Sequence, residues 1–184
     1  MNRTTNSDFS LVDNLIAETK RLKIVRLTID DADFILQLFK SPGWIRYIGK
    51  RDSNSKAAAK LYLINGPLIS YETNGWGLYK IILRKSNIAV GICGIVKRVE
   101  LTNPDLGFAF LPEFEGKGYA FESAHIILQL AKKKFEMNKI LAITQKDNIR
   151  SIVLLEKLGF VLQHNSTEQI KNDTALYAHS LILL

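Results

Sequence analysis

A chain of 184 residues, 47% hydrophobic and 23% charged, has the size and composition of one domain with a real core. Its 25 basic against 18 acidic residues give a net charge of +7, but the basic residues are scattered without zinc-ligand spacing or an RNA-binding aromatic signature, so no nucleic-acid partner is expected. No apolar run nears the roughly 20 residues of a membrane span, residues 1–10 hold no apolar signal core, and one cysteine excludes an internal disulfide and fits a reducing cytoplasm.

Residues 1–17 carry little pattern beyond Phe9, Leu11, Val12, Leu15 and Ile16; they read as an extension, a short helix or loose arm, before one domain over 18–184. Leu22-Lys23-Ile24-Val25-Arg26-Leu27 alternates apolar and basic residues as a half-buried strand does. Thr28 and Asp30-Asp31 supply N-cap chemistry for a helix burying Phe34, Ile35, Leu38 and Phe39. Pro42-Gly43 breaks it, and residues 44–48 predict a short second helix. Ser53 or Ser55 caps a third, running to about residue 71 with an interruption at Gly66-Pro67.

Residues 75–83 and 88–96 are β-prone runs on either side of Arg84-Lys85-Ser86-Asn87, the pattern of an antiparallel hairpin. Cys93 lies in the second run and reads as an inert core thiol. In the next strand, 106–111, Gly107 and the following Pro112 predict a bulge or an early end to pairing. Backbone N–H and C=O groups released in that way are open to another partner.

A glycine loop follows, Glu115-Gly116-Lys117-Gly118-Tyr119-Ala120, and then a helix to about residue 137 with Ala120, Ala124, Ile127, Leu128, Ala131 and Phe135 on one face. Strand, glycine turn and helix N-terminus together make a cradle for an anion, because the first N–H groups of a helix lack internal partners. The nucleotide-loop pattern needs Ser or Thr where Gly118 stands, and the dinucleotide fingerprint needs a small residue where Phe121 stands; both fail. Glu122, His125, Gln129 and Lys132 read as the helix's solvated stripe. Residues 139–144 predict a buried strand parallel to its predecessor. Asn148 starts another helix and Gly159 stops it. Residues 159–164 and 174–183 make a last hairpin, and the dispersed His125, His164 and His179 support neither a metal site nor a triad.

The run Leu-Pro-Glu-Phe-x-Gly-Lys-Gly-Tyr-Ala at 111–120 resembles motif A of the GNAT acetyltransferases, closest to the ribosomal-protein N-acetyltransferase branch. Asn148-x-x-Ser151 followed by Lys157-x-Gly159-Phe160 resembles motif B, and Glu18-Thr19-Lys20-Arg21-Leu22 resembles the branch's opening strand. The resemblance covers residues 18–184. It implies an α/β (α+β) acyl-CoA N-acyltransferase fold, with a mixed, mostly antiparallel sheet splayed at the fourth strand and flanked by helices. It further implies an enzyme that moves an acetyl group from acetyl-CoA to an amine by direct attack in a ternary complex, without a metal.

On that resemblance Ala109, Phe110 and Leu111 hold the pantetheine arm, Glu115, Gly116, Lys117, Gly118, Tyr119 and Ala120 hold the pyrophosphate, and Asn148 and Ser151 complete the cofactor site. Glu115 departs from the family's basic or amide residue, which places a carboxylate beside a loop that works through backbone N–H groups. Leu155 stands where many members carry a tyrosine acid, leaving Ser151 as donor to the thiolate. Asp105 is the candidate base, although a strand-start aspartate is ordinarily exposed; Glu113 and Glu122 have weaker claims. Trp44, Arg46 and Tyr47 are candidates for the acceptor side, against core packing. The acceptor is a protein N-terminal α-amine, or equally a polyamine, an amino sugar or an antibiotic, and the protein a monomer or homodimer. The rivals are an acyl-CoA-binding sensor without catalysis, motivated by Leu155 and Glu115, and a basic nucleic-acid-binding module.

Overall fold

The computed structural model of the chain describes residues 14–49, 55–164, 171 and 173–182. Its strands are β1 (Leu15–Glu18), β2 (Leu22–Arg26), β3 (Leu78–Leu83), β4 (Ala89–Val96), β5 (Asp105–Phe110), β6 (Lys139–Gln145), β7 (Val161–Leu162) and β8 (Thr174–Ser180). They form one sheet in the order β1-β2-β3-β4-β5-β6-β8-β7, antiparallel throughout except between β5 and β6. Leu15 and Ile16, read from sequence as helix or arm, lie instead in an edge strand that pairs Leu15 with Val25 and Glu18 with Lys23. The strand expected as fourth is therefore the fifth. Phe9, Leu11, Val12, Ser53 and Leu183 fall outside the described residues.

Helices cover both faces. On one side α1 (Ala32–Lys40), α2 (Pro42–Tyr47), α3 (Lys56–Leu63) and α4 (Ile69–Asn74) form a roof. Ile35, Leu38, Phe39, Trp44, Ala59 and Leu63 pack there with Ile92 of β4 and with Leu27 and Leu111, which directly follow β2 and β5. Ser41 caps α2 by accepting the Trp44 N–H, and Ser55 caps α3 by accepting the Ala58 N–H. Gly66-Pro67 does not break the next helical stretch. Residues 64–68 form a π turn between α3 and α4, whose wider spacing takes the proline without ending the helix. Tyr71 braces this roof to the sheet: its hydroxyl accepts the Leu27 N–H and donates to the Leu78 carbonyl.

On the other face lies α5 (Tyr119–Lys133), with Ala124, Ile127, Leu128 and Ala131 buried against Ile24, Ile81, Cys93, Ile95 and Leu106. α6 (Ile149–Lys157) adds Leu155 to the same cluster. The apolar run of β6 divides between faces as a central strand must: Ile140 and Ala142 join this core, while Leu141 and Ile143 join Leu101 and Leu176. Each fully buried leucine or isoleucine contributes about 1.5–3 kcal/mol relative to exposure.

β5 and β6 share a single bridge, Asp105 with Leu141, and part beyond it. Pairing of β5 with β4 is regular from Asp105 to Phe110, so the strand is not bulged there; it ends its second set of pairs early. A groove opens at the carboxyl end of these two strands, between the roof helices and α5 with α6. Ligands bind at such openings in sheets with parallel crossovers.

Candidate active site

The loop after β5 is built by its glycines. Gly116 (φ +72°) and Gly118 (φ +78°) both lie in the left-handed region that side chains resist. A Cβ on Gly118 would also stand 3.3 Å from the Arg21 guanidinium. With the chain turned in this way, α5 starts at Tyr119 and its first loop-to-helix bond runs from the Glu122 N–H to the Gly118 carbonyl, at 3.1 Å. Among the described residues, the N–H groups of residues 116–121 donate to no protein acceptor. Gly116, Gly118, Tyr119, Ala120 and Phe121 line the groove, at the helix end where the dipole favours an anion.

Beside the loop runs the free edge of β5. Alternate peptide groups of a strand face opposite neighbours. The Leu141 N–H donates to the Pro104 carbonyl, and the Leu111 N–H donates to the Val90 carbonyl, both at 2.9 Å. Register then turns the backbone groups of Ala109 and Leu111 toward β4, and those of Phe108 and Phe110 toward the splay. Of the trio Ala109, Phe110 and Leu111, only Phe110 presents its own N–H and C=O to the groove. The Leu111 N–H is already committed, and Phe108 takes its place in the alternation.

Across the splay, the Asn148 side chain caps α6 by accepting the Ser151 N–H at 3.2 Å. Asn148 and Ser151 both line the groove. Leu155 is 1% exposed and belongs to the core. Glu115 is not left alone in the loop: the Arg150 guanidinium reaches it at 2.6 Å, linking the two walls.

The acceptor-side candidates separate. Trp44 packs between Phe39 and Tyr62, with ring centroids at 4.8 and 5.9 Å, and is 3% exposed, so it belongs chiefly to the core. Arg46 is exposed and paired with Asp147 at 2.9 Å, and its guanidinium lies over the half-buried Tyr47 ring. Asp105 overturns the expectation of exposure. It is 1% exposed, because β4 and β6 flank it on both edges, and the Arg98 Nε contacts both its oxygens at 3.1 Å. Burial, opposed by Arg98, pushes its carboxyl up to about 6. Asp105 and Arg98 line the same groove.

The acetyltransferase (GNAT) domain model matches residues 21–161, which is most of the chain and spans both walls of this groove. The chain belongs to the GNAT acetyltransferase family. Among its relatives is the uncharacterized N-acetyltransferase YnaD of Bacillus subtilis, 31% identical over 81 residues; the match covers 44% of this chain and about half, 48%, of YnaD. The uncharacterized N-acetyltransferase p20 of Bacillus licheniformis is 25% identical over 77% of this chain and 80% of its own length. A solved structure of RimL, a ribosomal L7/L12 α-N-protein acetyltransferase in complex with coenzyme A, superposes with a TM-score of 0.72 over 90% of this chain and 97% of RimL. At 15% identity that likeness is one of fold.

Within this GNAT domain several groups had no role in sequence. Arg98 and Arg150 are single basic residues among many, and nothing local marks them as partners of Asp105 and Glu115. Glu122, read as part of a solvated stripe, is instead drawn inward. It accepts from the Thr19 hydroxyl at 2.5 Å and from Arg21 Nε at 2.6 Å. Burial raises the Glu122 carboxyl, but those hydrogen bonds outweigh it and hold the group below the usual range. The Thr19-x-Arg21-Leu22 phrase was the one local signal. Cys93 is buried, and burial pushes its thiol up to about 12.

Proposed function

We propose that this chain is an N-acetyltransferase that carries an acetyl group from acetyl-CoA to an amine by direct attack in a ternary complex. The supporting observation is the run of unpartnered N–H groups from 116 to 121 beside the free edge of β5. The loop suits a pyrophosphate and the strand edge suits the amides of a pantetheine arm, with Asn148 and Ser151 opposite. When bound, acetyl-CoA supplies an activated thioester. The chain's residues orient it, take a proton from the attacking amine and return one to the leaving sulfur. A carboxyl held at about 6 is matched to the first task near neutral pH, so we assign it to Asp105, through a water, with Arg98 holding its orientation. Ser151 is the donor we assign to sulfur. Arg46 and Tyr47 are the acceptor-side side chains we retain.

Residues 18–184 then act as one catalytic domain, and residues 15–17 extend its edge as the start of β1. We assign the protein to the cytoplasm, as a monomer or homodimer without nucleic acid; the buried Cys93 is compatible with a reducing compartment. A protein N-terminal α-amine, as in the ribosomal-protein branch, is the acceptor we favour over a polyamine, amino sugar or antibiotic. A binding-only sensor is the second reading, favoured by Leu155, which leaves no phenol at that position.

A melting titration with acetyl-CoA tests the site, with ATP as control. At a hundred times the dissociation constant a single-site ligand adds about 2.7 kcal/mol, roughly 5–10 °C for a chain of this length. An equal response to ATP, or no response, would sink the proposal. Release of CoA thiol with an amine panel, including peptides with free N-termini, then separates enzyme from sensor.

A further inference from the structure

A cluster of long-range hydrogen bonds joins the β1–β2 turn to the glycine loop. Arg21 Nε donates to Glu122 Oε2 at 2.6 Å, and the Arg21 backbone N–H donates to Glu122 Oε1 at 3.1 Å. The Thr19 hydroxyl donates to the same oxygen at 2.5 Å. Arg21 Nη1 donates to the Lys117 carbonyl at 2.9 Å, and the guanidinium lies 4.7 Å over the centre of the Tyr119 ring. One side chain thus touches three of the residues that form the cradle and its helix start, from an element about a hundred positions away.

The bond to Lys117 has a geometric consequence. A trans peptide holds its C=O and the following N–H on opposite sides, and no peptide in the described chain is cis. Drawing the Lys117 carbonyl toward Arg21 therefore fixes the Gly118 N–H on the opposite side of that peptide, and Gly118 lines the groove. A cation at a helix N-terminus is otherwise opposed by the helix dipole; Glu122, in the first turn, neutralises it and fixes its fork. We propose that Arg21, held by Glu122, is a positioning residue that sets the Lys117–Gly118 peptide so that the cradle's N–H groups face the cofactor's phosphates. This rests on the reading of residues 116–121 as the pyrophosphate site.

Calorimetry with CoA on the full chain, with R21A, R21K, E122Q and E122A, tests it. R21A weakens CoA binding about tenfold, which is about 1.4 kcal/mol. It raises KM for acetyl-CoA in step, while kcat at saturating cofactor stays within about twofold. R21K recovers little, because an ammonium cannot hold Glu122 and the Lys117 carbonyl in one planar fork. The sign at Glu122 discriminates most sharply. Simple electrostatics predicts that removing a carboxylate near an anion site tightens binding; positioning predicts that E122A weakens it and that R21A/E122A is no worse than R21A alone. E122Q, which keeps an acceptor, should fall between wild type and E122A. CoA binding by E122A equal to or tighter than wild type, or full recovery in R21K, would overturn the proposal. The Gly118 amide resonance of the unliganded protein, compared between wild type and R21K, reads the peptide's orientation without cofactor. An unmoved resonance counts against the clamp. Failure of the wild type itself to bind CoA would strike the site reading instead, with this resonance still reporting on the clamp.

Discussion

Asp105 combines a buried carboxyl with one guanidinium partner, and its titration has two separable consequences. The group's ordinary value of 3.8 rises to about 6 in the fold, chiefly through burial. Between those values the folded chain holds a proton that the unfolded chain releases. Stability contributed by this group is therefore full below pH 4 and is lost as pH rises through 6, at about 1.4 kcal/mol per unit within the window. D105N should remove that component from urea midpoints compared at pH 4.5 and 7. If Asp105 is the base, kcat/KM rises with pH through about 6 in the wild type. D105N should then lose that limb and about 10²–10⁴-fold of the rate. A variant that keeps the limb would place the base elsewhere. Glu115 and Arg150 pose a different residue-scale question. Arg150 is 86% exposed, so their pair adds little to stability. Its effect falls on the anion. E115Q should tighten CoA binding about threefold, the Coulomb effect of one charge at roughly 6 Å in water, with an unchanged melting temperature as the control.

At the scale of elements, the short helix α6 shows how one residue can serve structure and ligand together. Asn148 caps it through the Ser151 N–H. N148A should cost about 1 kcal/mol of stability, the usual worth of a cap, while N148S keeps the cap without adding a charge. Were Asn148 only a cap, N148S would bind CoA as the wild type does. A cofactor contact predicts loss in both variants, read by the same calorimetric titration. Much of this element was legible in advance, because Asn148 and Gly159 bracket an amphipathic run. The π turn at 64–68 was not: glycine and proline argue locally for a break, and only packing of α3 and α4 on the sheet keeps the helix continuous through them. The splay of β5 was implied by the family resemblance, whereas the bulge suggested by Gly107 is absent, and the choice of Phe108 and Phe110 as its free backbone groups depends on the register with β4, which no single strand carries.

Across the whole molecule, β1 ties the edge of the sheet to the cradle. Ile16 and Ala17 pack against the main core, and Arg84 donates to the Thr19 carbonyl at 3.0 Å. A chain begun at residue 19 should lose about 1–3 kcal/mol, the worth of that partial burial. It should also bind CoA more weakly than the full chain, since the turn carrying Thr19 and Arg21 is then held from one side. Equal binding by both chains would separate the edge strand from the site. Sequence by itself determined the order of elements from β2 onward, the glycine loop, both helix starts at the groove and the family, because apolar period, caps and glycine conformations are local properties of the backbone. Tertiary structure alone decided the burial of Asp105, the committed Leu111 N–H and the partners of Glu115 and Glu122. Each depends on which strands and helices become neighbours, and a side chain's exposure and charge partner are set by that arrangement and not by its position along the chain.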